Sequence, residues 1–144
     1  MSAEIATEEK TNNLQTVFRT QATGRHKRAT ASVWLSRGSG KITVNGRDFE
    51  EYFVTPFQQD TAMASLRLAG PQKDFDLTIK VKGGGLDGQA GAVRHAVARA
   101  LLKMDESLKA KIKSAGYLTR DPREKERKKS GQPGARKRFQ FSKR

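Results

Sequence analysis

The sequence contains no cysteine and only two histidines, His26 and His95. The first absence excludes disulfides, thiolate metal sites and a cysteine nucleophile. The second argues against a multi-histidine metal site within one chain. No apolar run approaches the roughly 18 residues that a membrane span needs, and the Glu-rich first fifteen residues fit neither a secretory signal nor a transit peptide. We therefore expect no metal, no cofactor and no membrane partner.

Large apolar residues are scarce and unevenly placed. Leu, Ile, Val and Phe together make up 28 of the 144 residues, and 24 of these lie within residues 16–118. Since segments this poor in apolar side chains cannot bury enough surface to fold, a core is expected only in the middle. We therefore predict a disordered N-terminal extension (1–15), a globular domain (16–118) and an extended tail (119–144).

Acidic residues are also few, and the charge is lopsided. The formal net charge is +14, and residues 119–144 carry 11 basic side chains against three acidic ones. A block this basic repels itself and is poor at burying surface. Its natural partner is a polyanion, and the charge of the middle segment points the same way.

Alternating and helical patterns predict the elements of the globular domain. Residues 30–36 and 42–44 alternate as strands, which the glycine-rich turn between them would join as a hairpin, and residues 75–81 alternate most strictly. Capping signatures at Asp48 and Thr55 predict helices over 49–53 and from Pro56 to about Ala69. Apolar spacing predicts two more helices, over 89–104 and 106–115. This order predicts an α/β (α+β) fold with helices packed on a small mixed sheet.

A glycine-rich loop follows the strand at 75–81. Its spacing, Gly83-x-Gly85-x-x-Gly88, matches the phosphate-binding part of a dinucleotide fingerprint, but no strand follows the next helix and the Walker lysine is missing. Three readings remain open: a phosphotransferase-like nucleotide site, backbone contact with an RNA phosphate, and a structural turn. The candidate phosphate-approach residues are Gly83, Gly84, Gly85 and Gly88.

One face of the helix over 89–104 is basic. His95, Arg99 and Lys103 are spaced by four residues and therefore share a face opposite the valines. Such a face is either solvated surface or a phosphate contact. His95 has no serine or aspartate partner that would suggest catalysis.

The sequence holds two basic clusters, one before the first predicted strand and one after the last predicted helix of the domain. One covers residues 24–28; the other is the tail, in which Asp121 and Glu124 predict a short helix over 122–129 and Phe139 and Phe141 stand among cations. Cations for phosphates and aromatics for stacking are typical of RNA-binding tails, although a nonspecific nucleic-acid tail has the same composition. The candidate RNA-binding residues are Arg25, Lys27, Arg28, Arg94, His95, Arg99, Arg120, Arg123, Arg127, Lys128, Lys129, Arg136, Lys137 and Arg138.

Several stretches resemble, in order, the bacterial-type family of the ninth small-subunit ribosomal protein. They are GRHKRATASV (24–33), GKITVNGRDFEEYF (40–53), VKGGGLDGQAGAVRHAVARALL (81–102), AGYLTRDPREKERKK (115–129) and the closing FSKR (141–144). The resemblance implies a compact domain similar to the second domain of the fifth small-subunit protein, with a long basic tail. A Gly-loop enzyme remains the analogy-based alternative, because fold does not imply function.

The resemblance also implies a role and partners. These are structural work in the head of the small subunit of the cytoplasmic ribosome, without catalysis, and binding to ribosomal RNA and neighbouring head proteins. In the family the tail tip reaches the transfer RNA in the peptidyl site. That role carries over onto Lys143 and Arg144, and onto Ser142 beside them.

Overall fold

The computed structural model describes residues 19–70 and 75–142, so the N-terminal extension expected over 1–15 lies outside the described residues. In chain order the elements are β1 (Thr20–His26), β2 (Ala29–Arg37), β3 (Ile42–Val44), β4 (Arg47–Asp48), α1 (Phe49–Tyr52), α2 (Pro56–Ala69), β5 (Phe75–Lys82), α3 (Leu86–Met104), a 3₁₀ turn (Glu106–Leu108) and α4 (Lys109–Ser114). No helix in these ranges is long and apolar enough to cross a membrane.

The strands form one mixed sheet in the order β1-β2-β5-β3-β4, which confirms the predicted architecture. The pair of β3 and β5 is parallel, and the other neighbours are antiparallel. The strands predicted from alternation are present as β2, β3 and β5. Sequence patterns missed β1 and the two-residue β4.

The predicted hairpin between β2 and β3 is wrong. β5 takes the place next to β2, and β3 pairs with the far side of β5. The glycine turn reaches that side because the Asp76 carboxylate, at the start of β5, accepts the backbone N–H groups of Gly40 and Lys41 at 2.9 Å each. At the other end of β3, the Asn45 side chain bonds both the N–H and the carbonyl of Val81 and so continues the ladder.

The helices agree with their predicted positions, with local differences. α3 begins at Leu86, three residues before the predicted start, so Gly88 belongs to its first turn and not to the loop. Neither Asp48 nor Thr55 makes a side-chain cap bond, although helices begin after both. The helix predicted over 122–129 is absent, and that stretch has no regular structure. The Asp121 side chain bonds Arg123 instead of starting a helix.

The core lies between the sheet and α3, and it closes most tightly at β1. Ala31, Val33 and Leu35 of β2 are fully buried, as the alternation predicted. A Cβ on Gly24 would lie 2.6 Å from the Ala92 carbonyl oxygen and closer still to the backbone of Ala96. Glycine is therefore needed here to let helix and strand backbones touch.

This contact gives a stability prediction. We expect Gly24→Ala to lower the free energy of unfolding by about 1–3 kcal/mol or more, because backbone atoms cannot yield as a side chain can. Gly88→Ala is the matched control: its Cβ would sit at an ordinary 3.7 Å from Ala29, and alanine favours the helix. Urea unfolding of both variants checks the prediction, and equal midpoints for Gly24→Ala and the wild type would contradict it.

Candidate RNA interface

Three features that are far apart in the sequence meet at one groove of about 540 Å³. Its walls are the turn between β1 and β2, the glycine loop with the start of α3, and the first part of the tail. The groove is lined by His26, Lys27, Arg28, Ala29, Gly84, Gly85, Asp87, Gly88, Arg123, Glu124 and Lys125. The fold thus brings together the first basic cluster, the glycine loop and the tail.

The charges around this groove favour an anion. Four cationic side chains line it against two carboxylates, and both carboxylates have partners. The Gln58 amide donates to Asp87 at 2.9 Å, and Glu124 lies 3.7 Å from the Arg28 guanidinium. The N-terminus of the 19-residue helix α3 also opens here, and its first N–H groups carry partial positive charge.

The three candidate glycines that precede α3 have different roles in the loop. Gly83 and Gly84 adopt positive φ angles of 76° and 61° and press against Arg28 and Ala29, so both are required by the turn itself. Gly85 precedes α3 and has no atom within 4 Å of where a Cβ would be, so it is the residue at which a phosphate can approach the backbone.

The start of the tail is attached to the turn between β1 and β2. The Lys27 N–H donates to the Asp121 carbonyl at 2.8 Å, and Lys27 itself has a positive φ of 55°. The Asp121 carboxylate lies 3.5 Å from His26 Nε2 and accepts bonds from the Arg123 guanidinium and backbone N–H. These bonds from Arg123 hold the pKa of Asp121 well below its usual range. We call this arrangement the Asp121 clip.

The basic face of α3 is occupied by the backbone of the edge strand β1. Every fourth residue on that face bonds every second residue of the strand, because four helical residues rise about 6 Å and two strand residues about 6.8 Å. Two of these residues, His95 and Arg99, were candidate RNA contacts. The pairs are His95 Nδ1 with the backbone of Arg25, Arg99 with the Thr23 carbonyl, and Lys103 with the Gln21 carbonyl at 2.7 Å. We call this arrangement the edge ladder.

Most of the other candidate cations point into solvent. Arg94 is partly buried, and its guanidinium lies 5.1 Å from the centroid of the Tyr117 ring. Arg136 and Lys129 pair with Glu126 at 2.9 and 3.4 Å, which folds the middle of the tail into a turn. The candidates Arg25, Arg120, Arg127, Lys128, Lys137, Arg138 and Ser142 are exposed. Lys143 and Arg144 lie outside the described residues.

Sequence reasoning missed two participants in the groove. Lys125 was overlooked because it stands between two glutamates, which mask it in a charge count. His26 was not assigned a role, yet its ring packs on Gly91, where a Cβ would lie 2.7 Å from it, and faces Asp121. Nothing in the sequence links positions 26, 91 and 121, so no signal could have found this contact.

The opposite charge pattern belongs to one segment of the domain. Residues 48–66 contain four acidic and no basic side chains. This segment includes α1 and most of α2, and it would repel a polyanion. The acidic segment also reaches the groove, because its Gln58 donates to Asp87 in the groove wall. Within the described ranges, no cluster of side chains could hold a metal ion.

The two histidines make the free energy of unfolding depend on pH. Burial lowers the pKa of His26 and of His95 below the ordinary value of 6.5, against smaller opposing effects of Asp121 and the Arg25 backbone. The unfolded chain therefore takes up protons first, and stability falls as the pH drops through about 6.5. We expect urea unfolding to show this loss between pH 7.5 and 5.5. The variant His26→Gln/His95→Gln should flatten the slope, and equal slopes in both proteins would contradict the prediction.

We compared the sequence with protein families and with known proteins to identify its family. The family model described as ribosomal protein S9/S16 matches residues 24–144, which includes the groove, the whole of α3 and the tail. The small ribosomal subunit protein uS9 of Methylacidiphilum infernorum (isolate V4) is 55% identical over 124 residues, covering 86% of this chain and 91% of that protein.

A second relative gives the same result. The small ribosomal subunit protein uS9 of Chlorobaculum tepidum is 54% identical over 121 residues, which is 84% of this chain and 94% of that protein. Both matches extend through most of the chain and agree with the resemblance seen in its motifs. The chain therefore belongs to the ribosomal protein S9/S16 family.

Proposed function

We propose that this protein is a structural constituent of the head of the small ribosomal subunit in the cytoplasm, where it binds ribosomal RNA through the groove and the tail. We further propose that the tip of its tail contacts transfer RNA in the peptidyl site. The observation that carries the first part is the convergence of the β1–β2 turn, the glycine loop and the tail on a groove with four cations. The relatives, both small ribosomal subunit proteins, support the same assignment.

The groove suits a phosphate of an RNA backbone. Lys27, Arg28 and Arg123 supply cations, Gly85 leaves the backbone accessible, and the N-terminus of α3 adds its dipole. Contacts of this kind position a protein on nucleic acid without reading its sequence. Family membership identifies the chain as a structural protein and not as an enzyme, so the glycine loop is not assigned to phosphoryl transfer.

The tail is suited to entering RNA away from the domain. The Asp121 clip fixes where it starts, and beyond it the chain continues through exposed cations to Phe139 and Phe141, which are 70% and 88% exposed. Exposed aromatics next to cations can stack on bases while the cations neutralise phosphates. Two further cations, Lys143 and Arg144, close the sequence and are the residues proposed to contact transfer RNA.

The groove is tested by removing its charge. We expect Arg28→Gln/Lys125→Gln to weaken binding to small-subunit ribosomal RNA and to flatten the plot of log affinity against log salt by about 1.4–1.8, because each neutralised phosphate contributes about 0.7–0.9. Filter binding over a salt series measures this. The control Lys109→Gln/Lys111→Gln removes the same charge from two exposed positions of α4. Equal slopes for both double variants would refute the assignment of the groove.

The tail tip is tested by its deletion. Without Lys143 and Arg144, nine basic residues of the tail and the whole domain remain, so assembly into small subunits should survive. Transfer RNA should dissociate faster from the peptidyl site, because each charge-assisted contact of about 1.5–3 kcal/mol changes affinity roughly tenfold or more, and less where salt screens it.

Filter binding of transfer RNA to programmed subunits measures that dissociation rate. Arg136→Gln/Lys137→Gln is the control, since it removes two charges from the body of the tail and leaves its tip intact. Equal dissociation rates for the tip deletion and the wild type would remove the transfer RNA assignment, while the RNA-binding assignment of the groove would stand.

A further inference from the structure

The outward face of the sheet carries an aromatic and cationic surface that neither the groove nor the tail explains. In β2 and β5 every second residue is buried towards the helices, and the intervening residues point the other way. These outward residues include Thr30, Ser32 and Trp34 on β2 and Thr78, Lys80 and Lys82 on β5. The two lysines are exposed and Trp34 is half-buried. We call this surface the open face.

The register sets these side chains in adjacent rows across three strands. Arg25 of β1 pairs with Thr30, which pairs with Lys82. In the next row Thr23 pairs with Ser32, which pairs with Lys80. In the third row Gln21 pairs with Trp34, which pairs with Thr78. Successive rows are about 6.7 Å apart, so three cations, several hydroxyls and an indole ring share one small area.

The aromatic ring is placed to receive a flat ligand. Lys80 Nζ lies 5.6 Å from the centroid of the Trp34 ring. Such a contact is weak at an exposed site, and the lysine stem is flexible enough to move aside. A base can therefore take the place of the ammonium on the ring while that ammonium pairs with the phosphate of the same nucleotide.

The charge of the open face selects the class of ligand. Its cations are Arg25, Lys80 and Lys82. Among the described residues, the outward positions of the sheet hold two carboxylates. Asp76 already accepts the N–H groups of Gly40 and Lys41, and Asp48 lies at the far edge on β4, two strands beyond Thr78 and away from the three cations. An acidic ligand with exposed aromatic planes fits this arrangement. Unpaired RNA has both properties, whereas in a duplex the base faces are stacked away.

We propose that the open face binds an unpaired RNA strand, with a base stacked on Trp34 and its neighbouring phosphates held by Lys80, Lys82 and Arg25. This inference rests on the proposed RNA-binding function and adds to it a second contact surface and a class of RNA. The open face meets the groove at the turn between β1 and β2, because only His26 separates Arg25 from that turn and Lys27 belongs to it. One RNA can therefore pass from the groove onto the sheet.

The chain offers its own reporter, because Trp34 is its single tryptophan. We would titrate the full chain with a 12-nucleotide single-stranded RNA of mixed sequence and follow both Trp34 emission and the anisotropy of an end-labelled copy of the RNA. If a base stacks on Trp34, its emission should be quenched to saturation, with the same midpoint as the anisotropy change. A duplex of the same sequence should leave the emission unchanged even where anisotropy shows that the duplex binds. Bound RNA with unchanged Trp34 emission, or equal quenching by the duplex, would overturn the inference.

Two sets of variants separate stacking from general charge. Trp34→Ala should weaken single-strand binding by about 5-fold to 150-fold, which is the range for loss of one stacked base, and Trp34→Phe should retain most of the affinity. Lys80→Gln/Lys82→Gln should reduce the salt slope by about 1.4 on a single strand, and Lys109→Gln/Lys111→Gln should not. If both lysine pairs lower it equally, the open face has no special role.

Failure of the open-face proposal and failure of the proposed function would give different results. If anisotropy shows that ribosomal RNA binds while the emission of Trp34 and its access to acrylamide stay the same, the open face is refuted and the groove and tail remain. If ribosomal RNA does not bind at all, the proposed function itself fails. The two failures are therefore distinguishable in one experiment.

Discussion

The close contact between α3 and β1 is the constraint on which the rest of the molecule depends. It is possible because Gly24 has no side chain where the strand meets the backbone of Ala92 and Ala96. The same approach brings the basic face of α3 within reach of the β1 carbonyls. It also sets the β1–β2 turn beside the glycine loop that precedes α3. A small residue in the core therefore determines where the cations on the surface can converge.

The Asp121 clip holds the start of the tail against a domain of the same charge. The domain and the tail are each strongly basic, with net charges of +8 over residues 16–118 and +8 over 119–144, so they repel each other. Asp121 is held between His26 and Arg123, and Lys27 donates a backbone bond to its carbonyl. Attachment through the backbone does not depend on salt as an ion pair does. The tail therefore starts from a fixed point even where the net charge opposes it.

Local patterns predicted those parts of the fold that local forces determine. β5 and α3 alternate or repeat strictly, and both were found from the sequence alone. β1 was missed because its inward positions include Ala22 and Gly24, which a hydrophobic pattern does not register. The partner of β3 was wrong because pairing depends on where β5 returns, about thirty residues later. Trp34 was predicted to lie on a strand, but only the register brings Lys80 diagonally beside it and sets Arg25 two rows away on the same face.

The sequence predicted individual residues of the candidate interface but not which of them lie together. Charge counting found Arg28 and Arg123, but only the fold joins them in one groove. It also assigned His95 and Arg99 to RNA, which stays a prediction, and only the fold shows that both bond the strand beside them. Whether a cation meets a phosphate or a carbonyl depends on tertiary distance, and composition holds no information on that distance.

The edge ladder has a consequence for how the chain behaves among copies of itself. An edge strand with free carbonyls is a template onto which another chain can pair. In this protein net charge keeps copies apart, but a polyanion that neutralises the charge would also crowd the copies together. Along β1 the edge-facing carbonyls of Gln21 and Thr23 are already bonded by side chains of α3, and the backbone of Arg25 is bonded by His95 Nδ1. Protection against strand exchange thus comes from the side chains of α3 and persists when electrostatic repulsion is lost.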